Sequence, residues 1–137
     1  METKYKLHTD LRVAEFIDIL ERSTLSERRP VHDLNAMQGM LDKADIIITA
    51  SQGDKIVGIA RSVSDFNYCC YLSDLAVDTA YQGQGIGKEL INKTQKELGE
   101  HCTLILISAP AAVNYYPKIG LTKHQSTWTL ARDTRLS

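Results

Sequence analysis

The feature that most restricts the fold is a glycine-rich segment between a predicted strand and a predicted helix. Three glycines alternate with other residues over positions 83–87, shortly after an apolar run at residues 68–77. Residues 86–98 then repeat apolar side chains at helical spacing, and Gly99 predicts a left-handed end to that helix. Residues 104–107 are aliphatic and predict a buried strand. Together these elements predict a right-handed crossover between two parallel strands.

The other strands predict a sheet that is mostly antiparallel. Residues 4–8 alternate weakly and predict an opening strand, and residues 46–50 and 56–61 predict a hairpin. With residues 68–77, three consecutive antiparallel strands therefore precede the glycines. Alternation at residues 127–132 predicts a final strand.

Three further helices are expected. Residues 11–23 carry apolar side chains at helical spacing behind Asp10, and residues 34–43 do so behind Asp33. Aspartate accepts hydrogen bonds from the first helical N–H groups, so both are predicted N-caps. Residues 110–120 are compatible with a short helix ended by a glycine. The predicted fold class is mixed α/β, with helices flanking the sheet.

Length and composition favour one globular domain over residues 1–137. A chain of 137 residues buries roughly two-thirds of the surface that its unfolded form exposes. Its residues are 43% hydrophobic and 24% charged, and no stretch approaches the about 20 apolar residues of a membrane span. No membrane partner is therefore expected.

The charge balance also restricts the partners. Sixteen Lys and Arg against seventeen Asp and Glu give a net charge of −1, so no field concentrates nucleic acid and no nucleic-acid partner is expected. The first ten residues are polar and mixed in charge, unlike the apolar core of a secretory signal, which predicts a cytoplasmic location.

Cysteine and histidine spacing predicts no metal site. Cys69 and Cys70 are adjacent, which is poor geometry for a bridge between them, and Cys102 is distant in sequence. We expect three thiols. Neither His32 nor His124 has a partner at metal-ligand spacing.

The glycine-rich turn is suited to an anion. Without side chains, several backbone N–H groups can converge on one point, and the start of the following helix adds its positive end. Lys88 adds a charge. The phosphate loop of nucleotide hydrolases requires Ser or Thr after its Lys, but Glu89 follows here, and the dinucleotide fingerprint has its third glycine where Lys88 stands. A turn without a ligand remains the alternative.

Two motifs in order resemble the GCN5-related N-acetyltransferase (GNAT) family. Gln82, Gly85 and Gly87 match the pyrophosphate motif of that family, which is Gln or Arg, two residues, Gly, one residue, and Gly or Ala. Tyr116 and Gly120, behind a second aromatic residue, match its aromatic-Tyr-x-x-x-Gly segment. The resemblance covers nearly the whole chain and implies a GNAT fold, with a central sheet splayed at its middle, that binds acetyl-CoA.

The resemblance also implies the residues that bind the coenzyme. Leu75 and Val77 would pair their backbone groups with the pantetheine arm, which would lie like an extra strand. Asn114 resembles a position that contacts the coenzyme. The pyrophosphate would be bound by backbone N–H groups of Gln82, Gly83, Gln84, Gly85, Ile86, Gly87 and Lys88.

Acetyl transfer to an amine needs a base, a site for the oxyanion and an acid. A lysine-like amine has a pKa of about 10.4, so its proton must be removed, and Asp74 is one candidate base, with a structural carboxylate as the alternative. A backbone N–H near Leu75 would meet the oxyanion. By resemblance, the Tyr116 phenol protonates the leaving thiolate, and Tyr115 is only its neighbour.

The predicted function is an N-acetyltransferase that passes the acetyl group of acetyl-CoA to a primary amine of a small molecule or peptide. A non-catalytic acyl-CoA sensor or assembly module is one alternative, and a pure interaction domain is another. A homodimer is left open. Several acidic side chains in the first two helices can favour a cationic acceptor or can simply be solvated; they are Glu15, Asp18, Glu21, Asp33 and Asp42.

Overall fold

The computed structural model describes residues 1–8 and 10–137. These residues divide into two compact units, residues 1–107 and 108–137, which are described separately. The prediction that the whole chain is one domain stays a prediction. Within the described ranges, no helix has both the length and the apolar character that a membrane crossing needs.

The first unit contains a five-stranded sheet. Its strands are β1 (Thr3–Leu7), β2 (Ile46–Gln52), β3 (Lys55–Ser64), β4 (Cys69–Val77) and β5 (Thr103–Ile105). They lie side by side in chain order; β1 to β4 are antiparallel, and β5 runs parallel to β4. The predicted hairpin, the three antiparallel strands and the parallel crossover are confirmed.

Three α-helices accompany the sheet: α1 (Val13–Arg22), α2 (Leu34–Asp42) and α3 (Ile86–Lys96). Asp33 caps α2 as predicted, because its side chain accepts a hydrogen bond from the Ala36 N–H. The predicted cap at Asp10 is wrong. Helix α1 starts later, and the N–H of its N-cap residue, Arg12, donates to the Glu15 carboxylate.

The helices pack on opposite faces of the sheet. Phe16 of α1 and Met37 of α2 are fully buried in one cluster with Ile59 of β3. The residue that precedes Ile59 in β3 faces the other side of the sheet. That residue is Gly58, where a Cβ would come within 3.1 Å of the Leu90 side chain of α3, so its lack of a side chain lets α3 approach closely.

The end of the crossover differs from the prediction in two ways. Helix α3 ends before Gly99, which does not adopt the left-handed conformation; instead, a Cβ there would lie 2.8 Å from the Phe66 carbonyl oxygen. Strand β5 has only three residues, and Ile105 and Ile107 are 46% and 51% exposed. The aliphatic run therefore forms a short edge strand and not a buried one.

The second unit contains a 3₁₀ turn at Pro110–Ala112 and helix α4 (Tyr115–Ile119), which Gly120 ends at a φ of 112°. The predicted helix is thus confirmed in a shorter form. The predicted strand at residues 127–132 is wrong, because none of the described residues pairs with it. Alternation indicates a strand only where a partner covers one face, and Trp128 is 90% exposed.

Candidate functional site

The sheet opens along one edge of β4. Strand β5 pairs only with Cys69, Cys70 and Tyr71, yet β4 continues to Val77. Among the described residues, positions 72–77 therefore have no strand partner on the β5 side. This opening confirms the splayed sheet, and it leaves backbone groups of β4 without a strand partner.

Backbone groups of Leu75 and Val77 point into this opening. The Asp78 N–H donates to the Val57 carbonyl at 2.9 Å, so Asp78 faces β3. Because backbone direction alternates along a strand, Leu75 and Val77 face away from β3. The Val77 carbonyl already accepts a hydrogen bond from Nε2 of Gln82 at 3.2 Å. The groups left for a ligand are both backbone groups of Leu75 and the N–H of Val77.

The glycine-rich turn follows directly. A 3₁₀ turn (Thr79–Tyr81) leads into Gly83 and Gly85, which have φ angles of 82° and 81°. Residues with side chains rarely adopt this conformation. Gly85 is also the N-cap of α3, so its left-handed conformation sets the direction in which the helix starts.

The turn presents unpaired N–H groups at the start of α3. The first helical bond runs from the Glu89 N–H to the Gly85 carbonyl, and no hydrogen bond to a described residue is seen for the N–H groups of residues 83–88. Such groups, with the helix dipole, attract an anion. Ile86 and Gly87 are buried and can contribute only through their backbones, whereas Lys88 is exposed.

Gln84 contributes differently from the other residues of the turn. Its side chain leans towards the end of β2, where its Oε1 accepts a hydrogen bond from Nε2 of Gln52 at 3.3 Å. The amide side chain is thus engaged by the sheet. Its backbone N–H has no hydrogen-bond partner among the described residues and can bind a ligand.

Asp78, which is not among the predicted site residues, anchors the turn. Its carboxylate accepts a hydrogen bond from the Ala80 N–H at 2.8 Å and another from Nη1 of Arg22 at 2.6 Å. Burial acts to raise the pKa of Asp78, but these two hydrogen bonds, with the charges of Arg22 and Lys55, outweigh it and lower the pKa. The sequence signal for such a role is an aspartate just before a turn, because its side chain can accept hydrogen bonds from the backbone that follows.

The candidate base Asp74 is fully buried between two arginines. Nε of Arg29 lies 2.5 Å from its Oδ1, and Nε of Arg61 donates to its Oδ2. With both oxygens engaged by cations, Asp74 is poorly placed to accept a proton. The geometry favours the structural alternative for this residue.

Tyr116 and Asn114 belong to the second unit. The Tyr115 and Tyr116 rings meet edge to face, with centroids 5.3 Å apart. Burial, with a smaller effect of Tyr115, raises the pKa of Tyr116. Asn114 is the exposed N-cap residue of α4, and its side chain makes no capping hydrogen bond. The roles of Tyr116 and Asn114 towards the coenzyme stay predictions.

The described residues hold no group of three or more His, Cys, Asp or Glu side chains that could bind a metal ion.

Comparisons with known proteins identify the family to which the chain belongs. Residues 13–129 match the family described as the acetyltransferase (GNAT) domain. An uncharacterized N-acetyltransferase, ycf52, of Pyropia yezoensis is 33% identical over 89 residues, which are 61% of this chain and 51% of that protein. The chain thus spans about half the length of this relative.

Solved structures share the fold. A GNAT family acetyltransferase from Streptococcus pneumoniae superposes with a TM-score of 0.75 at 20% identity. The match covers 96% of this chain and 100% of that one. An aminoglycoside N-acetyltransferase in complex with CoA has a TM-score of 0.72 at 12% identity, covering 97% and 96%. The family match confirms the resemblance read from the two motifs: the chain belongs to the GNAT acetyltransferase family.

Proposed function

We propose that the chain transfers the acetyl group of acetyl-CoA to a primary amine of a small molecule or peptide. One observation carries the proposal: the unpaired N–H groups of residues 83–88 directly follow the open edge of β4. An anion site next to an unpaired strand edge suits a ligand with a pyrophosphate and an amide-containing arm. Membership of the GNAT family supports the same reading.

The residues present fit this coenzyme. The pyrophosphate would accept hydrogen bonds from the N–H groups at the start of α3, and Lys88 would add its charge. The arm contains two amides, which can take the place of a missing strand partner beside Leu75 and Val77. Because Gln82 already occupies the Val77 carbonyl, the Leu75 carbonyl and the Val77 N–H would carry this pairing, which leaves the Leu75 N–H for the oxyanion.

Each chemical requirement has a proposed group. Bound acetyl-CoA supplies the reactive thioester. The Leu75 N–H would stabilise the oxyanion. Tyr116 would protonate the departing thiolate, and its raised pKa keeps the phenol protonated at neutral pH. Because both oxygens of Asp74 are engaged, we propose that water accepts the amine proton.

The test is an acetyl-CoA turnover assay that detects the released thiol, with a panel of amines, amino acids, peptides and aminoglycosides. Aminoglycosides are included because a structural neighbour is named for them. Thiol release that depends on an amine, with the acetylated amine seen by mass spectrometry, supports the proposal. Coenzyme binding without turnover supports the non-catalytic alternative, and the absence of binding contradicts both.

Two further parts of the prediction are kept as proposals. They are a cytoplasmic location and a homodimer. Sedimentation of the purified protein measures the second directly.

A further inference from the structure

Strand β4 contains a bulge just before its open edge. Arg61 of β3 lies opposite Asp74, but the next residue, Ser62, lies opposite Leu72. Ser73 therefore has no partner on β3. An extra residue of this kind bends the strand and shifts its register by one.

The direction of the backbone groups changes across this bulge. At the paired end, the Thr103 N–H donates to the Tyr68 carbonyl at 2.9 Å, and the Asp65 N–H donates to the Cys69 carbonyl at 3.3 Å. Even-numbered residues there face β5, and odd-numbered residues face β3. Asp78, beyond the bulge, is even-numbered and yet faces β3.

The bulge therefore decides which residues face the opening. With it, Leu75 and Val77 turn their backbone groups outward. Without it, the backbone groups of Asp74 and Ala76 would face outward instead, because a shift of one residue reverses the direction at every position that follows.

Arg29, which is not part of the sheet, holds this bulge through hydrogen bonds. Its Nη2 donates to the Ser73 carbonyl at 2.7 Å, and its Nε donates to Oδ1 of Asp74 at 2.5 Å. Its Nη1 donates to the Arg28 carbonyl at 2.8 Å, so all three guanidinium nitrogens of Arg29 make hydrogen bonds. Two successive residues of the bulge are thus held by one planar guanidinium.

Arg29 also links two parts of the unit. It directly follows a 3₁₀ turn (Leu25–Arg28) in the connection between α1 and α2. Arg61 holds the other oxygen of Asp74 and also donates to the Met40 carbonyl of α2. The carboxylate is thus the point at which the connection, α2 and the bulge meet.

We propose that Arg29 is a positioning residue, which holds the Ser73 bulge so that Leu75 and Val77 present their backbone groups to the coenzyme arm. The inference rests on the proposed function, because it assumes that the arm lies along this edge. We expect Arg29 to act through the bulge and to touch neither the coenzyme nor the reacting atoms.

The test compares two probes by calorimetry. Acetyl-CoA has an adenosine, a pyrophosphate and the arm, whereas ADP has the adenosine and pyrophosphate without the arm. We expect Arg29→Met to weaken acetyl-CoA binding by about tenfold, as for the loss of well-placed hydrogen bonds, with ADP binding changed by less than about twofold. Arg28→Met, at an exposed neighbour, is the matched control and should change neither.

Arg29→Lys keeps the charge and can reach only one of the two acceptors, so it should show a smaller loss confined to acetyl-CoA. It also provides the answer if the Met variant does not fold. Parallel losses for both probes, or no loss for either, would overturn the positioning role. Failure of the unaltered protein to bind either probe would overturn the proposed function itself.

A measurement without any substitution gives a second answer. Coenzyme A should slow amide hydrogen exchange at Leu75 and Val77, and leave Asp74 and Ala76 unchanged because those already face β3. Slowing at Asp74 and Ala76 instead would contradict the inference.

Discussion

Two segments carry the proposed reaction, and they are built from different parts of the chain. Residues 75–88 offer backbone groups, whose directions are set by the Ser73 bulge, the glycines and the Asp78 anchor. Residues 114–120 offer one side chain, the Tyr116 phenol, on a helix of five residues. A site made of backbone depends on conformation, whereas a site made of one side chain depends on that residue's chemistry. Substitutions in the two segments should therefore affect different steps.

The largest effect is expected in the backbone segment. Gly85→Glu should weaken coenzyme A binding by more than about a hundredfold, because a side chain is strained at a φ of 81° and its carboxylate repels the pyrophosphate. Calorimetry measures the affinity. Gly39→Ala is the control, since that exposed helical position has open space and an ordinary φ, and it should bind normally. Undiminished binding by Gly85→Glu would remove the anion site from the account.

The tyrosine segment should respond in rate and not in binding. Tyr116→Phe should lower kcat by about tenfold or more, as for the loss of one positioned acid, and leave coenzyme A affinity within about twofold. The measurement uses the amine found in the acceptor panel. Tyr115→Phe, the neighbouring ring, should change kcat by less than about twofold. An unchanged kcat in Tyr116→Phe would end the proposed role of this phenol.

Gln82 tests how far the first segment depends on side chains. Its amide is bonded to the Val77 carbonyl, so Gln82→Ala should remove one neutral hydrogen bond and weaken coenzyme A binding by about threefold or less. Calorimetry against the unaltered protein is sufficient. A loss near that of Gly85→Glu would mean that the Gln82 side chain itself binds the coenzyme.

The smallest effect is a pH dependence that should be nearly flat. The pKa of Tyr116 is raised by burial, so the acid is fully protonated below its ordinary pKa of about 10 and is lost only as the pH rises through the raised value. The ratio of kcat for the unaltered protein to kcat for Tyr116→Phe should change by less than about twofold between about pH 7 and pH 9.5. A ratio that falls across this range would contradict a neutral, partly buried phenol.

The same contrast explains what could be predicted from the sequence. Local patterns were sufficient for Gly83 and Gly85, whose spacing before an apolar helix indicates a turn, and for the cap at Asp33. Side-chain partners distant in sequence could not be predicted this way. Arg22 and Asp78 are 56 positions apart, and only the folded sheet brings them together.

Register and pairing were the other limit. The place of Asp74 beside the predicted edge makes it a candidate base, but its partner Arg29 is 45 positions away in the sequence. Residues 127–132 alternate as a strand does, yet alternation does not supply a neighbouring strand. The bulge at Ser73 could not be predicted from the pattern of apolar residues, although it determines which backbone groups face outward.

A crystal structure with coenzyme A bound is the most direct test of the central claim, which is that backbone groups of residues 75–88 bind the donor. We expect pyrophosphate oxygens at about 3 Å from N–H groups at the start of α3, and the arm paired with Leu75. A pyrophosphate bound away from residues 83–88, or an arm lying elsewhere than along β4, would contradict it.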